Sequence, residues 1–115
     1  MNTGIKDDAY HVQNICFYCQ TIVEFTSNST YEEFKENNQL NFATSFALGK
    51  VGEEVTKLTD EFKTKYSSIP WHNIIGIRHR LVRDYAGSNL RFLWEVAKDG
   101  IPRLLEEINK TLKTH

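Results

Sequence analysis

The sequence contains little that would support disulfide, zinc or membrane chemistry. Only two of its 115 residues are cysteine, and no apolar run approaches the roughly 20 residues that cross a bilayer. Cys16 and Cys19 form a C-x-x-C sequence, but two further zinc ligands and the βαβ pattern of a redox motif are both missing. Because residues three apart share a helix face, we expect both cysteines to be small core residues. We predict neither a metal ion nor a cofactor.

Period-two alternation, internal repeats, low-complexity tracts and domain linkers are also missing. A chain of 115 residues can bury one core without metal or disulfide support. Its 40% hydrophobic and 25% charged residues are typical of a soluble globular protein. The N-terminal residues lack the pattern of a signal peptide. We therefore expect a single domain, residues 1–115, in a cytoplasmic protein.

Apolar residues instead recur at three- and four-residue spacings, which are typical of amphipathic helices. This predicts an all-α, single-domain antiparallel bundle of four main helices plus one short helix. Thr30 and Glu33 have the form of a capping box that opens the short helix. Pro102 removes a backbone donor and should kink the last helix near Lys98. The expected helices span about 8–25, 30–36, 41–66, 71–85 and 90–112.

The third predicted helix contains two glycines and two adjacent carboxylates. Gly49 and Gly52 each cost about 1 kcal/mol relative to alanine in a helix interior, so we expect another helix to approach closely there. Glu53 and Glu54 are interpreted as a solvated face. The residues assigned to the buried stripe of this helix are Phe42, Phe46, Val51, Val55, Leu58 and Phe62.

The arginines are concentrated in one segment of a chain whose net charge is only −1. Four of the five lie between Arg78 and Arg91, where Asp84 is the only acidic residue, whereas residues 1–61 hold ten acidic and four basic side chains. Guanidinium groups suit planar, two-pronged contact with phosphate. Two interpretations stay open: a solvated helix face, or a phosphate-binding site. The candidate phosphate-binding residues are Arg78, Arg80 and Arg83.

The order of residues 74–85, IIGIRHRLVRDY, closely resembles the signature of the HepT-like ribonucleases, a branch of the HEPN-domain superfamily. That family has an arginine, four residues, a histidine, one residue and a tyrosine. Arg78 and Tyr85 match the arginine and the tyrosine, whereas Arg83 stands where the family has its histidine. Further matches follow in the family's order: Tyr31-x-x-Phe34, Gly52-Glu53, Pro70-Trp71, and Trp94 with Pro102.

The resemblance implies a metal-independent RNA endonuclease that acts as the toxin of a toxin–antitoxin module. It also implies a homodimer in which two chains share the cleft. The implied partner is a minimal nucleotidyltransferase, an MntA-like antitoxin, which attaches AMP to the tyrosine that matches Tyr85. Within the site, the family's arginine stabilises the charged phosphate and its histidine transfers protons.

The departure at Arg83 leaves three hypotheses open. Guanidinium stays protonated in proteins, so Arg83 cannot be a general base. His79 lies four residues before it on the same helix face and is a candidate substitute, with Arg78 and Arg83 holding phosphate. The alternative is a non-catalytic RNA- or nucleotide-binding subunit that partners a nucleotidyltransferase. The third hypothesis is a helical interaction module whose basic patch only aids solubility.

Overall fold

The computed structural model describes the backbone of residues 3–83 and 89–112, and every regular element in those ranges is helical. The predicted all-α class is therefore confirmed. None of the described helices has the length and hydropathy that spanning a membrane requires. The elements are α1 (Thr3–Thr26), α2 (Tyr31–Glu36), α3 (Asn38–Thr56), α4 (Asp60–Lys65), α5 (Trp71–Arg83), α6 (Leu90–Glu95), a π-helical turn (Val96–Gly100) and α7 (Ile101–Leu112).

α3 is the central helix, with α1 packed along one side of it and α5 along another. α7 closes the core against α1. Cys19 is fully buried, which confirms its prediction as a core residue, and burial raises the pKa of its thiol to about 12. Cys16 is only half-buried against the same cluster. The largest fully buried side chains include Ile15, Ile22, Phe34, Val51, Val55, Ile69 and Ile108.

The predicted capping box opens α2 as expected. The Oγ1 of Thr30 accepts a hydrogen bond of 3.1 Å from the backbone N–H of Glu33. The Glu33 carboxylate accepts one of 2.9 Å from the N–H of Thr30. Both orphan donors at the start of the helix are thereby satisfied, and the predicted end at Glu36 is confirmed.

The single long helix predicted over 41–66 is wrong, because the chain leaves the helix between α3 and α4. The Asp8 carboxylate, buried in α1, accepts hydrogen bonds from the N–H of Thr59 at 2.8 Å and from its Oγ1 at 2.7 Å. Thr59 also caps α4, since its Oγ1 accepts from the N–H of Phe62 at 3.1 Å. A contact between residues 51 positions apart therefore overrides the local helical pattern.

The last predicted helix, 90–112, is divided by a π-helical turn rather than running as one kinked α-helix. The N–H of Ile101 donates to the carbonyl of Val96, five residues earlier. This wider turn immediately precedes Pro102, whose ring has no N–H to donate and would clash with a carbonyl in a regular α-helix. The ammonium group of Lys98, in the π-helical turn, donates to the carbonyl of Thr26 at 2.9 Å.

Candidate functional site

α3 and α5 approach most closely where Gly52 faces Arg78. A Cβ atom added to Gly52 would lie 2.5 Å from the Cβ of Arg78 and 2.8 Å from its Cδ, which is closer than real Cβ atoms come. The predicted close approach is therefore confirmed at Gly52. It is wrong at Gly49, where an added Cβ would meet nothing within 4 Å. The stem of Arg78 is thus supported by the backbone of α3.

Arg78 lines an open cleft between α3 and α5, with a volume of about 320 Å³, which we call the Arg78 cleft. Lys50 contributes a second cation and Ser45 a hydroxyl, both from α3. This combination of fixed cations and a hydroxyl can bind an anionic group such as phosphate. The lining residues are Ser45, Phe46, Gly49, Lys50, Glu53, Arg78 and Leu81.

The one carboxylate in this lining is held by lysines and not by Arg78. Glu53 lies 3.5 Å from Lys50 and 3.5 Å from Lys57. The charge of Lys50, followed by that of Lys57, lowers the pKa of Glu53. Within the described ranges, no carboxylate lies at ion-pair distance from Arg78. The Arg78 guanidinium can therefore accept an external anion without first leaving any of the described carboxylates.

Glu54, the neighbour of Glu53, faces α1 and is buried, so its interpretation as a solvated residue is wrong. Its Oε1 lies 2.6 Å from Nδ1 of His11 and accepts a hydrogen bond of 3.1 Å from Asn14. Burial raises the pKa of Glu54, but the hydrogen bonds from His11 and Asn14 outweigh that effect and the net shift is downward. This network ties α1 to the helix that carries the cleft.

The free energy of unfolding should therefore depend on the ionisation of Glu54. Because its pKa is lowered in the fold, its contribution is present above the ordinary value of 4.5 and is lost as pH falls through the lower folded-state pKa. We expect Glu54→Gln to cost about 1–2 kcal/mol at neutral pH and progressively less in acid, measured by urea unfolding across pH. Glu24→Gln, at an exposed position of α1, is the control. A Glu54→Gln deficit that stays constant with pH would contradict this account.

Two of the other predicted site residues, His79 and Arg80, do not line the cleft. His79 and Arg80 are exposed on α5. The guanidinium carbon of Arg80 lies 3.8 Å from the centre of the Phe92 ring on α6. Arg83 is the last residue of α5, and the structure describes only its backbone. Tyr85 lies outside the described residues. The roles predicted for these four residues stay predictions.

The contribution of α3 to the cleft was not predicted from the sequence. Phe42 and Phe46 were predicted to lie on the buried stripe of this helix, but their side chains are 63% and 66% exposed, so that prediction is wrong. The spacing Phe46, Lys50, Glu53 puts these three side chains on one face of α3. That spacing is the signal that could have identified Lys50 as a residue of the cleft. This face of α3 lies next to Gly52, where the close approach of another helix was predicted.

Comparisons with known proteins agree on one family. The family model described as ribonuclease HepT-like matches residues 15–111. A candidate RNase of Methanocaldococcus jannaschii is 33% identical over 108 residues, covering 94% of this chain and 89% of that protein. A candidate RNase of Caldanaerobacter subterraneus is 31% identical over 95% of this chain and 97% of its own length. A probable ribonuclease HepT of Thermococcus cleftensis is 30% identical, covering 90% of this chain and 94% of its own. No solved structure is significantly similar to this chain.

Proposed function

The chain belongs to the HepT-like ribonuclease family, and on that premise we propose that it is a cytoplasmic toxin component that binds RNA at the Arg78 cleft and cleaves it without a metal ion. The observation that carries this proposal is the placement of Arg78. Its stem is supported by Gly52, its cleft contains Lys50, and no described carboxylate pairs with it. A guanidinium held in this way can stabilise charge that develops on phosphate during cleavage.

Metal-free cleavage requires a base as well as cations. The 2′-oxygen of a ribose attacks the adjacent phosphorus and loses its proton to the base, while the bond from phosphorus to the 5′-oxygen breaks and that oxygen gains a proton. His79 is exposed on α5 and is our candidate for the proton transfers. Arg78 and Arg83 then stabilise the charged phosphorus centre. Cleavage of a labelled RNA by the purified protein in excess EDTA tests the proposal.

A second candidate function is favoured by one observation about the same cleft. Its described lining contains no histidine, and the position of the family's histidine is occupied by Arg83. A non-catalytic subunit that binds RNA or nucleotide would need only the cations. Such binding should weaken as salt rises, with a slope that reports the number of phosphates contacted. Binding without cleavage in EDTA would favour this candidate over the first.

We also propose that two chains form a homodimer around the cleft. Phe46 lines the cleft and Phe42 lies one helical turn away, and both rings are mostly exposed. Burial of a phenylalanine side chain stabilises by about 1.5–3 kcal/mol. A twofold axis near Phe46 would cover these rings in both copies and bring the two Arg78 side chains towards one another.

Phe46→Asp is accordingly expected to dissociate the dimer. The substitution removes an apolar side chain from both halves of a twofold interface, so the loss should be about 3 kcal/mol or more per dimer, or roughly 100-fold in Kd. Sedimentation velocity across a concentration series measures it. His72→Asp, at an exposed position near the start of α5, is the control. Unchanged sedimentation of Phe46→Asp would contradict a dimer on this face.

The partner in this proposal is an MntA-like nucleotidyltransferase antitoxin that adds AMP to Tyr85. The support is the match of Tyr85 to the family's modified tyrosine. We expect co-expression with such a partner to add the mass of one AMP to the wild-type chain and none to Tyr85→Phe, measured by intact mass spectrometry. Tyr66→Phe, which alters a half-buried tyrosine before α5, is the control and should still be modified. Addition of AMP to the Tyr85→Phe variant would show that a residue other than Tyr85 is modified.

A further inference from the structure

Two aromatic rings at the contact between α2 and α6 lie beneath three cations. The ring centres of Tyr31 and Trp94 are 6.2 Å apart. The guanidinium carbon of Arg91 is 4.6 Å from the centre of the Tyr31 ring, and Nζ of Lys35 is 5.9 Å from it. Nζ of Lys98 is 5.2 Å from the centre of the Trp94 ring. We call these five residues the Tyr31 platform.

The acidic residues beside the platform are weakly held. Glu95 lies 3.4 Å from Nε of Arg91, but the two side chains are 58% and 64% exposed. Glu32 lies 3.7 Å from Lys35 and is 77% exposed. Ion pairs this exposed contribute about 0–1 kcal/mol. An incoming phosphate can therefore replace either carboxylate at little cost. Arg91 and Lys35 are the cations it would reach, because the ammonium group of Lys98 donates to the carbonyl of Thr26.

The helix that contributes Arg91 and Trp94 to the platform, α6, contacts the helix that carries the cleft arginine. Arg80, two residues after Arg78 on α5, stacks on Phe92 of α6, and Phe92 is the neighbour of Arg91 in sequence. The guanidinium of Arg80 thus lies over a ring of α6, and that of Arg91, from α6, lies over a ring of α2. A polyanion that leaves the Arg78 cleft along the second half of α5 would next meet α6 and the platform.

We propose that the Tyr31 platform is a stacking subsite for bases of single-stranded RNA whose phosphates occupy the Arg78 cleft. Guanidinium planes and aromatic rings stack unpaired bases, while nearby ammonium groups hold the backbone. The guanidinium of Arg91 already lies on Tyr31, so its outer face is ready for a base. Bases in a duplex are stacked on each other, so the platform selects single strands. The inference rests on the proposed function and adds its substrate class.

Two fluorescent probes of about twelve nucleotides test this with the full-length chain: single-stranded oligoadenylate, and a strand of equal length without bases. They share the same phosphates, so the ratio of their affinities isolates base stacking. We expect wild type to prefer oligoadenylate about tenfold. Arg91→Lys, which keeps the charge but not the plane, and Tyr31→Leu, which keeps an apolar contact for Trp94, should each lose most of that preference. Tyr31→Phe should retain it.

The matched control is Arg103→Ala, an exposed arginine of α7 that lines a different cavity, beside Pro70. It should retain the preference, and urea unfolding should show that all variants are folded. Wild type that binds neither probe would contradict the proposed function and the subsite together. Wild type that binds both probes equally, or a preference that survives Arg91→Lys and Tyr31→Leu, would overturn the subsite alone. Loss of nucleotidyltransferase binding with the RNA preference intact would assign the platform to a protein and also overturn it.

Discussion

Arg78→Ala is expected to lower the rate of RNA cleavage by about 100- to 1,000-fold, the usual effect of removing one donor that stabilises transition-state charge. The substitution removes the guanidinium but keeps the Cβ that packs against Gly52, so the contact of α3 with α5 survives. Single-turnover cleavage of a labelled RNA in EDTA gives the rate. Urea unfolding gives the stability, which should stay within about 1 kcal/mol of wild type.

RNA affinity must accompany that rate, because an arginine can act in binding, in catalysis or in both. A lost phosphate contact should reduce the salt slope of binding by about one. Arg78→Lys retains the charge without the two-pronged geometry and should lie between wild type and Arg78→Ala. Arg103→Ala removes an exposed positive charge outside the cleft and should cleave normally. Full activity in Arg78→Ala would refute the assignment of this cleft as the active site.

Arg83→His is expected to raise the cleavage rate by about 100-fold or more, because it places a proton-transfer group at the family's position. The gain should appear as pH rises through about 6.5, where a histidine becomes neutral and able to accept a proton. Rates measured from pH 5 to 8 in EDTA test this. Wild type should be the slower of the two, because Arg83 stays protonated and cannot accept a proton.

His79→Ala is the paired variant that decides how wild type cleaves. If His79 is the base, its removal should lower wild-type cleavage by about 100-fold or more and should matter less in the Arg83→His background. A wild-type cleavage rate in His79→Ala would rule out the hypothesis that His79 takes the place of the family's histidine. His72→Ala, at an exposed position near the start of the same helix, controls for the loss of any exposed histidine from α5. A cleavage rate in Arg83→His no higher than that of wild type would contradict the assignment of proton transfer to this position in this chain.

The sequence located the arginine of the site but only half of its surroundings. The glycine at position 52 is a local signal, and the close helix approach predicted from it is present. The arginine of the motif, Arg78, lines the cleft, and its role there stays a prediction. The outward face of α3 was missed because Phe42 and Phe46 are apolar, and periodicity alone assigns such rings to a core. Hydrophobic spacing cannot tell a ring buried within one chain from a ring that a second chain could cover.

The errors in the prediction of the fold have a similar physical origin. Residues 41–66 satisfy a helical pattern throughout, and only Asp8, far away in sequence, withdraws the N–H of Thr59 from that helix. The burial of Glu54 likewise depends on His11 and Asn14 in another helix. By contrast, the capping box of α2 was predicted correctly because its donors and acceptors lie within four residues. Interactions between distant residues decided both the break at Thr59 and the burial of Glu54.

The π-helical turn before α7 also has a consequence for how related chains can be aligned. A π-helical hydrogen bond joins residues five positions apart, whereas an α-helical one joins residues four apart. The turn therefore contains one residue more than a regular α-helix would need there. A relative that lacks one residue between positions 96 and 100 could keep both flanking helices in place by closing the turn to a regular α-helix. Its alignment would then show a gap inside a helix, and that gap would mark a conserved geometry and not a lost element.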